Sequence, residues 1–129
     1  MASFWPTSAA QQQAPQVADG MNKSEKIVFS KTLKLAKWVN STIVKDDLIT
    51  FVEKLKKSAG QNLTILGSGS IVTQLAGANL VDEYQLMVDP VVLGSGTSLF
   101  SGLTRKLDLK LSDSRIFKSG VVLLTYVPA

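Results

Sequence analysis

Leu63-Thr-Ile-Leu-Gly-Ser-Gly-Ser-Ile-Val72 is the stretch on which the reading of this chain turns. Leu63 to Leu66 is short and mostly apolar, as a strand covered on both faces would be. Gly67-Ser-Gly-Ser70 breaks it, and Ile71, Val72, Leu75 and Ala76 then recur at helical spacing. A strand, a glycine-serine turn and a helix follow one another within a few residues. The start of such a helix exposes unpaired N–H groups and a partial positive charge, which favour a bound anion. Glycines let the backbone approach a phosphate without a Cβ in the way, and Ser68 and Ser70 add hydroxyl donors. The pattern is not a full G-x-G-x-x-G, since Val72 stands where the third glycine would be, and no Gly-Lys-Ser/Thr follows to make a P-loop. Two readings stand: a phosphate-binding turn, and a plain strand-to-helix turn capped by Ser70.

Upstream, Asp46 or Asp47 is placed to cap a helix carrying Leu48, Phe51, Val52, Leu55 and Ala59 on one face. Lys54, Lys56 and Lys57 lie in its last turns, and Gly60 ends it. Lys26 to Ser30 and Thr42 to Val44 read as short buried strands. Ser30-Lys-Thr32 closes the first of them. In an open α/β sheet ligands gather beyond the C-terminal ends of the strands, where this tripeptide and the glycine turn should both lie. Lys31 could neutralise a phosphate with Ser30 and Thr32 as hydroxyl partners, or be one exposed lysine in a turn. Ser8 to Gly20, rich in Ala, Gln and Pro, has no apolar period and reads as a surface segment with a short helix near Val17 to Met21. Downstream, Gly77 or Asn79 ends the helix after the glycine turn. Val81 to Val88 reads as a strand with Tyr84, Leu86 and Val88 on one face, and Gly94-Ser-Gly96 as a turn. Leu107, Leu109 and Leu111 alternate with Asp108 and Lys110, and Val121 to Val127 forms their antiparallel partner. Asp82 and Glu83 are neighbours on a strand and point to opposite faces, so they cannot act together on one substrate atom.

The chain has 129 residues, neither cysteine nor histidine, and a net charge of +4. Disulfides, thiolate metal sites, a cysteine nucleophile, the usual zinc ligands and every Ser-His-Asp arrangement are excluded, and no metal site is expected. Any catalysis must use carboxylates, lysines, hydroxyls, backbone N–H groups or a bound cofactor. Between Lys23 and Lys57 nine lysines face four acids, a solvated lysine-rich surface or a positive field for a phosphorylated ligand. Without arginine or interleaved aromatics in that stretch, nucleic acid is not the expected partner. Met1-Ala-Ser-Phe-Trp-Pro6 carries no secretory signal, and no apolar run approaches the roughly 20 residues that span a bilayer. A cytoplasmic protein without a membrane partner is expected.

Taken in order, the pieces resemble the dihydrofolate reductase-like family, in the RibD C-terminal-domain branch that includes the reductase domain of the bifunctional riboflavin-biosynthesis enzyme. Met21-Asn22, Lys26 to Leu33, Trp38-Val-Asn-Ser41, Leu55-Lys56, Gly67 to Ser70, Leu80 to Leu86, Pro90 to Gly96 and Leu99-Phe100 carry the resemblance, which covers essentially the whole chain. It implies an α/β, three-layer domain with a central mixed, mostly parallel sheet and a C-terminal antiparallel hairpin. Residues 1–22 would form an N-terminal surface segment and 23–129 the nucleotide-binding domain. It also implies NADPH as cofactor and a small heterocyclic or carbonyl substrate. Carried over by position, Ser30, Lys31 and Thr32 would lie near the adenosine 2′-phosphate, and Gly67, Ser68, Gly69, Ser70 and Ile71 would hold the pyrophosphate. The hydride comes from the cofactor, so the missing histidine is no obstacle, and no catalytic residue is nominated.

Two departures qualify this. Riboflavin-pathway reductases typically carry Glu-Gly-Gly where this chain has Leu66-Gly67-Ser68, so the resemblance is riboflavin biosynthesis-like without by itself fixing that pathway's substrate. The family also usually begins with strands that precede everything here, so a truncated product, a mis-assigned start codon, or a chain completed by a partner or by a second copy in a homodimer is expected. The leading expectation is an NADPH-dependent reductase domain. The alternatives are a non-catalytic nucleotide-binding module and a partner-binding remnant.

Overall fold

The computed structural model describes all residues from Met1 to Ala129, and they form two compact units, Met1–Phe51 and Val52–Ala129. The first opens with two short helices, α1 (Ser8–Gln13) and α2 (Pro15–Lys23). Where the sequence suggested a surface segment with one short helix, the chain is helical almost throughout. The apolar stripe is absent because the contact is made by small residues, Ala10 and Ala18, both fully buried. The Thr7 hydroxyl accepts from the Ala10 N–H to cap α1, and Pro15 occupies the first turn of α2, where its missing N–H costs nothing.

Strands β1 (Lys26–Phe29) and β2 (Ser41–Val44) follow and pair in parallel, Lys26 opposite Ser41 and Phe29 opposite Val44. Asn22 fastens α2 to the loop between them. Its amide donates to the Trp5 carbonyl at 3.0 Å, and its side-chain oxygen accepts from the Trp38 indole at 2.7 Å. Lys26 completes this knot. Its ammonium group donates to the carbonyls of Met21, Asn22 and Ser24 and lies 4.6 Å from the centre of the Trp38 ring. Loss of solvent around it lowers its pKa from the ordinary lysine value.

Helix α3 (Leu48–Lys57) begins as the sequence predicts. The Asp47 carboxylate accepts from the Thr50 N–H and hydroxyl, both at 3.0 Å, and three lysines lie in the last turn. Phe51 turns its ring edge to face on Phe29, with centroids 5.5 Å apart.

In the second unit, helix α4 (Gly69–Gly77) precedes β3 (Tyr84–Val88), β4 (Leu109–Ile116) and β5 (Val122–Pro128). The last two form the expected antiparallel hairpin, with a register shift between Leu111 and Asp113. Strand β3 joins the other edge of β5, so the sheet order is β3-β5-β4. The mixed α/β class expected from the sequence is present, but in place of one central, mostly parallel sheet there are two: β1 and β2 form a two-stranded parallel sheet, and β3, β5 and β4 form a three-stranded sheet that is antiparallel throughout. Leu63 to Leu66, read from sequence as a strand, forms none. A strand exists only by virtue of its ladder, and the main chain of residues 59–67 makes no hydrogen bond to any neighbour. Leu75, Ala76 and Tyr84 are the buried apolar residues around α4 and β3.

Candidate nucleotide-binding site

The glycine turn is built as the sequence suggests, with its cap displaced by two residues. Ser68, not Ser70, stands at the N-cap with extended backbone angles, and its carbonyl accepts from both Ile71 and Val72 at 3.1 Å. Ser68 makes no side-chain capping bond; its hydroxyl is instead 2.7 Å from that of Ser70. The N–H groups of Gly69 and Ser70 are therefore free, and no acidic residue occupies the first turn. Two amides, two hydroxyls and the positive end of a nine-residue helix form an exposed donor set suited to an anion.

Gly67 has φ of 139°, a conformation that side chains rarely adopt, and its peptide bond to Ser68 is cis. At Gly69 an added Cβ would lie 3.5 Å from the Leu99 carbonyl, so the segment from Leu99 runs close beside the helix start. The Thr73 hydroxyl reaches the Ser101 carbonyl at 3.3 Å and continues that contact. Ile71 is half-buried and belongs to the helix packing as much as to the turn. The opposite end of α4 is closed by Asn79 in a left-handed conformation, and the Arg105 guanidinium donates to the Gly77 carbonyl and the Asn79 side chain. A cation there complements the helix dipole.

In the first unit, the Ser30 N–H donates to the Val44 carbonyl and its hydroxyl accepts from the Leu33 N–H at 3.0 Å. Ser30 is thus spent on folding the turn, while Lys31 and Thr32 are exposed at the C-terminal edge of the parallel pair. Lys31 shares that edge with Asp47. The Thr50 N–H and hydroxyl hold the Asp47 carboxyl below the usual carboxylate range, with a smaller contribution from the Lys31 charge. A folded pKa below the unfolded one stabilises the fold above the unfolded value, and that stabilisation is lost as pH falls through the folded one. Asp47→Asn keeps a good cap but removes the titration. Its melting temperature, measured from pH 7 to pH 2.5, is expected to fall less steeply below about pH 4 than that of the unaltered chain.

Asp82 and Glu83, which follow the C-terminal end of α4, do not form a catalytic pair. Asp82 takes an ion pair from Lys56 at 2.5 Å, and Glu83 accepts from Gln85. Sequence inspection overlooked a cavity of about 230 Å³ at the C-terminal end of α4, lined by Asn79, Tyr84, Arg105, Lys106 and Leu109 among others. Burial pushes the Tyr84 phenol above its ordinary pKa, opposed by the Arg105 charge. No motif marks these residues, which come from three separate stretches of chain.

An α/β domain presenting a glycine turn at a helix start is the class that fold and site define. A family model described as the RibD C-terminal domain matches residues 1–123, and the chain belongs to that family. It is 36% identical over 107 residues to the uncharacterized protein YyaP of Bacillus subtilis, covering 82% of this chain and 56% of that one. Against the uncharacterized protein YwjB of the same organism it is 34% identical over 82 residues, 64% of this chain and 47% of the other. The chain thus spans about half the length of the curated relatives it matches. Among solved structures it superposes on a protein ascribed to riboflavin biosynthesis from Shewanella sp. PV-4, with a TM-score of 0.72, 19% identity and coverage of 90% of this chain and 71% of that one. A pyrimidine reductase-like protein from Corynebacterium diphtheriae gives 0.60 at 16% identity, covering 80% and 49%. Identities this low establish the shared fold. No helix is long and apolar enough to cross a membrane.

Proposed function

We propose that the chain is the cofactor-holding domain of an NADPH-dependent reductase acting on a small heterocyclic or carbonyl substrate. The observation that carries this reading is the pair of free N–H groups at Gly69 and Ser70, flanked by the Ser68 and Ser70 hydroxyls and free of first-turn acids. That donor set fits a pyrophosphate, and Gly67 and Gly69 leave its approach clear of Cβ atoms. Lys31 and Thr32 supply a cation and a hydroxyl for the adenosine 2′-phosphate, with the Ser30 hydroxyl holding the turn that carries them. The action of both groups on one cofactor is part of the proposal. When bound, the cofactor supplies the hydride; the residues named here bind and orient it.

A fluorescence titration of the 129-residue chain with NADPH and NADH, repeated with Lys31→Ala, tests the reading. Saturable binding is expected. Loss of one exposed cation beside a phosphate should weaken NADPH by roughly three- to tenfold and leave NADH nearly unchanged. Absence of saturable binding by a chain that circular dichroism shows to be folded rejects the proposal. A second reading, a binding module without catalysis, is favoured by the engagement of Asp82 with Lys56 and of Glu83 with Gln85, the two carboxylates that open β3. Tight NADPH binding with no oxidation across a panel of heterocyclic and carbonyl substrates would select it.

A further inference from the structure

Two cavities adjoin beyond the C-terminal end of α4, both lined wholly by residues of the Val52–Ala129 unit. The larger, about 230 Å³, has the polar groups of Asn79, Arg105, Lys106 and Asp108 in its lining. The smaller, about 160 Å³, is walled mainly by Phe100, Leu103, Leu107 and Leu109. Tyr84 and Arg105 line both, so a polar and an apolar space share one wall.

Two groups on that wall have bonding capacity that the chain does not use. Tyr84 is only 7% exposed, yet its hydroxyl is neither hydrogen-bonded within the chain nor sealed off. What remains open of it faces the cavities it lines. Burial pushes the phenol above its ordinary pKa, so at neutral pH it stays protonated and can donate. Arg105 spends Nη2 on the Gly77 carbonyl and the Asn79 side chain, both uncharged, and no carboxylate pairs with it. Its Nε and Nη1 hydrogens are left for a charge-assisted bond. Asp108, the one acidic side chain in the lining, is already held by Lys106 at 2.6 Å. The surplus charge is that of Arg105.

We infer that this recess binds a small aryl carboxylate, its carboxylate held by Arg105 and the Tyr84 hydroxyl and its ring among Phe100, Leu103, Leu107 and Leu109. The division into two halves selects the class. An inorganic anion would leave the apolar half unfilled, and a plain hydrocarbon would leave the Tyr84 and Arg105 donors without partners. An apolar cavity of roughly 150 Å³ takes up benzene, so one ring matches the smaller space. None of this rests on the cofactor reading: the ligand carries no phosphate, and the glycine turn lies at the other end of α4.

Amide NMR of the nitrogen-15-labelled chain, titrated with phenylacetate, is expected to show saturable shifts in residues 79–84 and 103–109, with a dissociation constant of about 1 mM or below. Acetate lacks the ring and benzyl alcohol lacks the charge, and each should bind at least about tenfold more weakly. Tyr84→Phe removes an oxygen that bonds to nothing in the chain, so the melting temperature should stay that of the unaltered protein. Phenylacetate should nevertheless bind it roughly three- to tenfold more weakly. No saturation of the folded chain at about ten times the expected dissociation constant overturns the inference. So do shifts confined to residues 67–71, unchanged affinity in Tyr84→Phe, or benzyl alcohol binding as tightly as phenylacetate.

Discussion

Replacing Gly67 by valine is expected to raise the dissociation constant for NADPH by roughly tenfold or more, with the helix content of the chain unchanged. The residue has φ of 139°, and a β-branched side chain is strained there by about 1–3 kcal/mol. Nothing lies within 4 Å of where the new Cβ would stand, and the main chain of residues 59–67 carries no hydrogen bond. The strain therefore has no contact through which to disturb the core. It is relieved by a shift of the turn, which carries the free amides of Gly69 and Ser70 away from the ligand. Gly69→Ala separates this from simple crowding. Its backbone angles are ordinary and its Cβ would meet the Leu99 carbonyl at 3.5 Å, a normal contact. If phosphate lies over this residue, the alanine methyl group should still weaken NADPH. Unchanged affinity in both variants, measured by the same titration, would remove the turn from the binding site.

Asn22→Leu should lower the stability of the first unit by about 2–3 kcal/mol, read as a fall in the urea midpoint. The substitution deletes two side-chain hydrogen bonds, and the larger loss comes from what is left behind: the Trp38 indole N–H and the Trp5 carbonyl, both partly sheltered and now without partners. The neighbouring Lys26 ammonium group, which also leans on Trp38, loses the ring that holds it in place. Asn22→Asp keeps an acceptor for the indole but sets a carboxylate against the Trp5 carbonyl, and it should not rescue the midpoint. Trp5 and Trp38 are the two tryptophans of the chain, so intrinsic fluorescence reports the event where it happens.

Local signals in the sequence correspond to local events in the structure. Asp47 caps α3, lysines fill its last turn, Asn79 closes α4, and the alternation of Leu107 to Leu111 with the run from Val121 yields the β4–β5 hairpin. Each of these is decided within a few residues. The misreadings have a common physical origin in contacts that are not local. Ala10 and Ala18 bury a helix pair without the apolar stripe that periodicity detects. Leu63 to Leu66 has strand composition, but pairing needs a neighbour that composition cannot supply. The position of β5 between β3 and β4 is a matter of long-range register and makes the larger sheet antiparallel. For the site, the glycine turn and the exposure of Lys31 were legible. The use of Ser30 to fold its own turn and the engagement of Asp82 by Lys56 were not, because each depends on where a side chain turns.

The central place of β5 also orders events in time. It is the last of its three strands to be synthesised, so neither β3 nor β4 can be paired while it is still on the ribosome. Strand β3 waits through residues 89–121, about 2–7 seconds at ordinary translation rates. Its Tyr84, buried in the folded chain, lacks its β5 partner over that interval, on a strand that runs on into the uncharged stretch from Pro90. Slowing translation across residues 89–121 should therefore lower the soluble yield without altering a single native contact.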